Sequence, residues 1–432
     1  MERYINSYAT ENDIQIALEN GELFKPYVAY IEDVDRIDWN SKSKVDYTTE
    51  YLTFNILSAG TIMWKASNTA ITKTIDYKLN NNEWASITSN TGSSAPTITV
   101  NSGDKLQFRG SNTAYATSSS NYNSFSGSAL FESEGNIMSL IYGDDFKNNS
   151  TISSTYTFYG LFRNCTKLVS AKNLVLPATT LASNCYQYMF KDCTSLTTAP
   201  ALPATTLGSY CYYNMFESCT SLTTAPELPA TTLAYNCYFG MFYGCTSLTS
   251  APKLPATTLA DYCYNSMFYN CKSLTVAPEL PATTLKDYCY RDMFKGCTSL
   301  TVAPELPATT LTDRCYLSMF QDCKSLKTAP ALPATTLTTM CYYCMFYGCS
   351  SLITAPALPA TTLTNGCYQS MFQSCTNLNY IKCLATDISA TNCTSEWVSG
   401  VTSTGTFVKN PNMTSWTTGN NGIPNNWTVQ DA

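Results

Sequence analysis

A chain of 432 residues has room for about two to four domains, and its 25 Lys and Arg against 31 Asp and Glu give a formal net charge of -6. Charged residues are only 13% of the chain and no Lys/Arg run occurs, so no clustered cations are available for a phosphate backbone and nucleic acid is excluded as a partner. The absence of histidine beside 20 Cys removes imidazole from every catalytic and metal-binding scheme, and no run approaches the roughly 18 apolar residues of a membrane span.

Residues 1–45 begin with a short amphipathic helix candidate over 11–20, a Gly21 stop and the stretch KPYVAYIEDVDRIDW. The first 50 residues hold eleven acidic and five basic side chains, with neither a basic start nor an apolar core. They lack the marks of a secretory leader, which points to synthesis in a cytosol and release by another route. Residues 46–145 read as a β-sandwich-like domain: 51–57, 72–79 and 97–100 alternate apolar and polar residues, with turn clusters such as 80–82 between them. The Ser/Asn-rich stretch 117–128 is expected to be a long exposed loop.

From 146 to 382 the chain repeats. LPATTL recurs eight times at a period of 26 residues, with its proline at Pro177, Pro203, Pro229, Pro255, Pro281, Pro307, Pro333 and Pro359. Each unit reads LPATTL-xxx-CYxxMFxxC-xxL, and cysteine falls in two series locked to the period, Cys185 to Cys367 and Cys193 to Cys375. A partial unit precedes them at Phe158, Leu161, Phe162, Cys165 and Leu168, with two extra residues before Pro177. One such unit cannot bury its apolar face alone, so the units are expected to stack into a solenoid. At about 4.8 Å per coil, eight coils make a rod of roughly 40 Å. The tail 383–432, with WVSGV, GTFVKNP, SWTTG and IPNNWTV, has lost the repeat and is expected to cap the last coil.

The MFxxC and CTSL-T-x-A-P-x-LP blocks, over about 157–382, resemble the cysteine-bearing BspA-type leucine-rich repeat of surface proteins of Bacteroidota and of their phages. The unit is slightly longer than usual and has Met-Phe where Ala-Phe is typical. Residues 1–45 resemble the amino-terminal segments of phage fibre and appendage proteins of crAss-like Bacteroides phages. The resulting fold class is mainly β with an α/β-type solenoid: a virion-anchoring segment (1–45), the β-sandwich-like domain (46–145), the solenoid of 26-residue units (146–382) and a capping region (383–432).

The cysteine rows read first as buried thiols, the second series bonding backbone; disulfides and metal binding are the weaker alternatives. The single CxxC, Cys341 to Cys344, has no second pair to complete a metal site. Carboxylates of the array such as Asp192, Glu217, Asp261 and Asp313 lie at variable positions scattered over different coils. Neither an enzyme nor a cofactor is expected.

The invariant Met-Phe pairs and the Tyr186 series fit interior ladders. The triplets before each CY and the pairs flanking MF vary, and are expected to face solvent. They supply Tyr188, Tyr210, Tyr213, Tyr235, Phe239, Tyr243, Tyr262, Tyr269, Tyr288 and Tyr347, aromatic faces suited to sugar-ring stacking or a protein epitope. The expected function is that of a phage head or tail fibre, made in the host cytoplasm and located on the virion. Residues 1–45 would hold it to other virion proteins, as a dimer or trimer, and the solenoid would bind a host-surface glycan or protein. The alternative is a bacterial cell-surface adhesin.

Overall fold

The computed structural model describes residues 46–432 and, ahead of them, one short antiparallel ladder between β1 (Ile37–Asp38) and β2 (Ser43–Lys44). The remainder of the anchor expected over 1–45 lies outside the described residues. The described chain is mainly β, with α1 (Ser139–Tyr142) and a few 3-10 turns as its helices.

Alternation of apolar and polar residues folds the region after Asp46 into strands β3 (Leu52–Ile56), β4 (Gly60–Ala66), β5 (Thr74–Leu79), β6 (Ala85–Thr88), β7 (Thr97–Val100), β8 (Lys105–Arg109), β9 (Ala116–Ser118), β10 (Asn121–Gly127) and β11 (Phe131–Asn136). They make two sheets, ordered β7-β4-β10-β9 and β11-β3-β8-β5-β6. The sheets meet through buried rings: Phe125 of β10 lies 5.0 Å from Phe54 of β3 and 4.8 Å from Phe108 of β8. The stretch 117–128 is therefore not a loop but the β9-β10 hairpin. Among its Ser and Asn residues, Phe125 is fully buried in the core and the amide of Asn123 donates to the carbonyls of Ile71 and Tyr115. A polar composition hid a strand whose inward positions are filled.

The larger sheet does not end within this region. Strand β12 (Leu168–Val175) pairs parallel to β11. It belongs to the leading repeat unit, where the two extra residues before Pro177 lengthen this arc into an eight-residue strand. The first coil thereby docks on the sheet edge, which covers backbone that would otherwise stand open.

In the repeat region each coil stacks in parallel on the next at an offset of 26 residues, as in the bridges Thr198↔Thr224 and Thr284↔Thr310. Along the CYxxMFxxC arc, alternate amides bond between coils and within them. Tyr186, Tyr188 and Phe190 donate to Cys211, Tyr213 and Met215 of the next coil, while Gln187, Met189 and Lys191 donate three residues back. No helix forms on this arc, so the α/β character expected of the units is absent. The cause is conformational: every fourth residue is left-handed, as at Asn184 (φ 61), Tyr188 (φ 58) and Asp192 (φ 61), which interrupts a right-handed helix within one turn.

Inward-facing positions form uninterrupted rows. Phe190 and Phe216 stack 5.3 Å apart and 2° from parallel, Tyr186 and Tyr212 5.8 Å apart and 9° from parallel, and the Met and Leu rows are fully buried beside them. All twenty cysteines are free and buried. Those of the second series donate S–H to the Phe carbonyl of the preceding coil, as Cys219 does to Phe190 at 3.1 Å. On the LPATTL arc the two Thr of every copy are exposed.

The tail keeps the 26-residue period although it lacks the LPATTL and MF motifs. Cys393 stands 26 residues after Cys367. Tyr368, Ser370, Phe372 and Ser374 donate to Cys393, Ser395, Trp397 and Ser399, so a further coil lies within the region read as non-repeating. Trp397 stands in the Met position and stacks on Trp416 at 5.8 Å. A parallel sheet of β13 (Tyr380–Cys383), β14 (Thr406–Lys409) and β15 (Thr428–Asp431) closes the end.

Candidate functional site

Two variable positions of each unit, the last residue of the triplet and the second of the pair, hold positive φ in coil after coil. Their variability is thus confined to residues that tolerate this backbone or are kept despite its cost. At the triplet position the coils carry Asn184, Asn236, Gly366 and Asn392, residues suited to the left-handed region, but also Arg314 and Met340, with φ of 57 and 52, and Tyr156, Tyr210, Tyr262 and Tyr288, with φ of 57 to 59. Tyr188 occupies the pair position at φ 58, where other coils have Asn214 and Gly240.

These tyrosines and their neighbours form one connected row along the turn arc. Tyr122 of β10 contacts Tyr159 at 5.7 Å, Tyr159 contacts Tyr188 at 5.5 Å, and Tyr188 contacts Tyr213 at 5.5 Å. Tyr213 meets Tyr210 at 5.6 Å, and from Tyr210 the row runs to Tyr235, Tyr262 and Tyr288 at 5.4, 5.8 and 4.4 Å. Phe239 stacks on Tyr213 at 4.7 Å. Seven of the ten residues named from sequence therefore lie together. Tyr243 and Tyr269 form a separate stacked pair at 4.5 Å, and Tyr347 makes no ring contact among the described residues.

The expectation that all ten face solvent needs correction. Tyr235 is exposed at 41%, whereas the other nine are half-buried, eight of them in contact with rings of neighbouring coils. Tyr188–Tyr213, Tyr210–Tyr235 and Tyr235–Tyr262 meet edge to face at 88°, 70° and 71°, while Tyr262–Tyr288 are parallel within 9° and close each other off. Tyr235 is the exposed member of the row. Burial raises the phenol pKa of Tyr213, so its hydroxyl stays protonated and polar at neutral pH.

Tyr122, Tyr156, Tyr159 and Arg163 were missed from sequence. The partial unit was aligned on its core positions alone; extended outward, that alignment places Tyr159 opposite Tyr213 and Phe239. Tyr159 is itself fully buried, with its hydroxyl donating to the Ser119 carbonyl at 3.2 Å, and it links the β domain to the coils.

Cations flank the row. Arg163 lies over Tyr122 and Tyr188, Lys191 over Tyr188, and Arg291 and Arg314 over Tyr288. Lys191 pairs with Glu217 at 2.7 Å and Arg291 with Asp292 at 2.9 Å. The carboxylates Asp261, Asp287 and Asp313 each accept an amide from the following coil at 3.1 to 3.2 Å, a structural use rather than a converging acid pair. No group of three potential metal ligands occurs among the described residues. Cys344 of the CxxC sits in the outer turn row, and Cys341 in the inner one. A shallow groove between the proline turns at Pro304, Pro307, Pro330 and Pro333 offers one carboxylate, Glu305, and no constellation for chemistry.

The sequence profile described as the BspA type leucine rich repeat region, in six copies, matches residues 149–301, 205–352 and 292–392, which together span more than half of the chain. The chain belongs to the BspA-type leucine-rich repeat family. No curated protein and no solved structure matches it. In this BspA-type array the fixed residues of the unit supply the inner rows, and the aromatic row occupies only positions that the unit leaves open.

Proposed function

We propose that the chain is a non-enzymatic adhesion protein whose leucine-rich-repeat solenoid holds glycan chains of a cell surface along the aromatic row. The observation that carries this reading is the placement of tyrosine at left-handed positions. Tyr188, Tyr210, Tyr262 and Tyr288 occupy φ values of 58 to 59 where Asn and Gly serve in sister coils. Each costs on the order of 1–2 kcal/mol in backbone strain. Arg314 and Met340 bear the same cost as single instances of their residue type, whereas tyrosine bears it in several coils and its rings join into one row, which supports a shared use for the rings. From Tyr159 to Tyr288 the row climbs five coils, about 24 Å at roughly 4.8 Å per coil, which suits an extended chain better than a single sugar. Tyrosine hydroxyls and the flanking Arg and Lys side chains supply hydrogen-bond partners beside the apolar ring faces.

BspA-type repeats are often surface or adhesion repeats, which favours display on a cell surface over the virion appendage expected from residues 1–45. The test replaces strained rings by the residue that sister coils use. Tyr210→Asn and Tyr262→Asn together should leave thermal stability unchanged or raised, yet weaken retention on a glycan array about tenfold. Tyr347→Ala, outside the row, should bind as the parent does. Equal binding by all three proteins, or stability lost in step with binding, would refute the assignment.

A further inference from the structure

Arg109 pairs with Asp76 and Asp144, and Arg291 with Asp292, whereas neither Arg163 nor Arg314 has an ion pair among the described residues; a shielded, unpartnered Nε sets Arg163 apart from Arg314. Arg163 makes no ion pair and donates no hydrogen bond among the described residues, and its Nε is shielded from solvent without a partner. Its guanidinium is clamped between two rings, 5.3 Å from the centroid of Tyr122 and 5.1 Å from that of Tyr188. Gly160 (φ 60) lies against the Tyr122 ring, where a Cβ would come within 3.3 Å and press on it. Lys191 approaches the same Tyr188 ring at 5.2 Å from the next coil. Two cations thus converge on one ring, and Glu217, bound to Lys191, is the one carboxylate paired with them.

A shielded donor without a partner calls for an explanation, and at Arg163 an acceptor brought by a ligand supplies one. A guanidinium held flat by aromatic faces keeps its fork of N–H groups in fixed geometry, matched to the two oxygens of a carboxylate. We propose that Arg163 is the anion-reading residue of the aromatic row: it binds the carboxylate of an acidic sugar at the end of the row where Tyr122 and Tyr188 hold its guanidinium. The glycan held by the row is then an acidic one, anchored where the β domain meets the first coils and continuing over Tyr210 and Tyr235. This inference rests on the glycan-binding reading above and gives it a chemical class.

The full chain would be tested against immobilised sialylated and uronate-bearing oligosaccharides, each beside its carboxyl-reduced neutral counterpart, with sulfated oligosaccharides as a separate arm. The parent should prefer carboxylated members at least tenfold over their neutral counterparts and over the sulfated ones. Arg163→Gln should abolish that preference while still retaining neutral chains, and Arg163→Lys, which keeps the charge without the fork, should hold an intermediate preference. Thermal unfolding of both variants separates lost recognition from lost fold. Equal binding of acidic and neutral members by the parent, or an undiminished preference in folded Arg163→Gln, overturns the assignment to Arg163 while the aromatic row stands. Retention of no saccharide at all overturns both.

Discussion

Substituting a β-branched residue at the third left-handed position of a coil tests whether backbone conformation, rather than helix formation or side-chain contact, shapes the turn arc. This row reads Asn164, Asp192, Ser218, Gly244, Asn270, Gly296, Asp322, Gly348, Ser374 and Gly400, all with φ between 58 and 78. Ser218→Val keeps a small side chain but places a β-branched one at φ 60, which should cost about 1–2 kcal/mol beyond what serine already bears. Ser218→Gly relieves the strain but frees the unfolded chain, and the two effects of about 0.5–1 kcal/mol each should nearly cancel. Thr194→Val, exposed and outside the left-handed set, should stay within about 0.5 kcal/mol. Stacked repeats need not unfold as one unit, so the measurement is hydrogen exchange of the amides that join this coil to the next, such as Ser218 to the Tyr243 carbonyl at 2.7 Å. Exchange in peptides over 211–250 should quicken roughly five- to thirty-fold in Ser218→Val, since about 1.4 kcal/mol is tenfold in an equilibrium. If it quickens no more than in Thr194→Val, the conformational account of the arc is wrong.

Two further outcomes follow from burial. Trp397 is fully buried, stacks on Trp416 and donates its indole N–H to the Gly422 carbonyl at 2.8 Å; Trp397→Ala should cost about 3–5 kcal/mol and remove exchange protection over 368–432 while the β domain keeps its own. The thiols give a pH dependence. Burial pushes Cys165, Cys375 and Cys383 up to about 12 from the ordinary value of 9.0, and Cys344 up to about 11. A raised folded pKa means that above pH 9 the unfolded chain releases protons that the folded one retains, so this stability is whole below 9 and is lost as pH climbs toward 11 to 12. Melting temperature should fall steeply between pH 9 and 10.5, and a flat profile there would mean that the thiols are not buried as described.

The inner rows were legible in the sequence because each coil faces the same packing problem and solves it with the same residues: Tyr186, Met189, Phe190, both cysteine series and Leu196 are fully or almost fully buried, and so are their equivalents. The turn arc was not, because a left-handed φ is met by residues as unlike as Asn, Ser and Gly, and a set defined by dihedral angle reads as free variation. The coil at Cys393 was missed for the opposite reason, since its spacing survived while Thr394, Trp397 and Val398 replaced Tyr, Met and Phe. Spacing was the better guide there. In the candidate site, residue types pointed to aromatic binding, but only the stacking of coils revealed that rings from Tyr122 to Tyr288 touch and that Arg163 sits between two of them.

Because each coil bonds chiefly to the coils on either side of it, and the stretch from one LPATTL to the next is complete at 26 residues, the array can gain or lose a whole unit without disturbing the sheet that starts it or the tryptophans that end it. Near-identical units written in tandem invite unequal exchange between their coding segments. A lineage could then alter the array one coil at a time, in steps of about 4.8 Å, and could move a tyrosine-bearing coil along it.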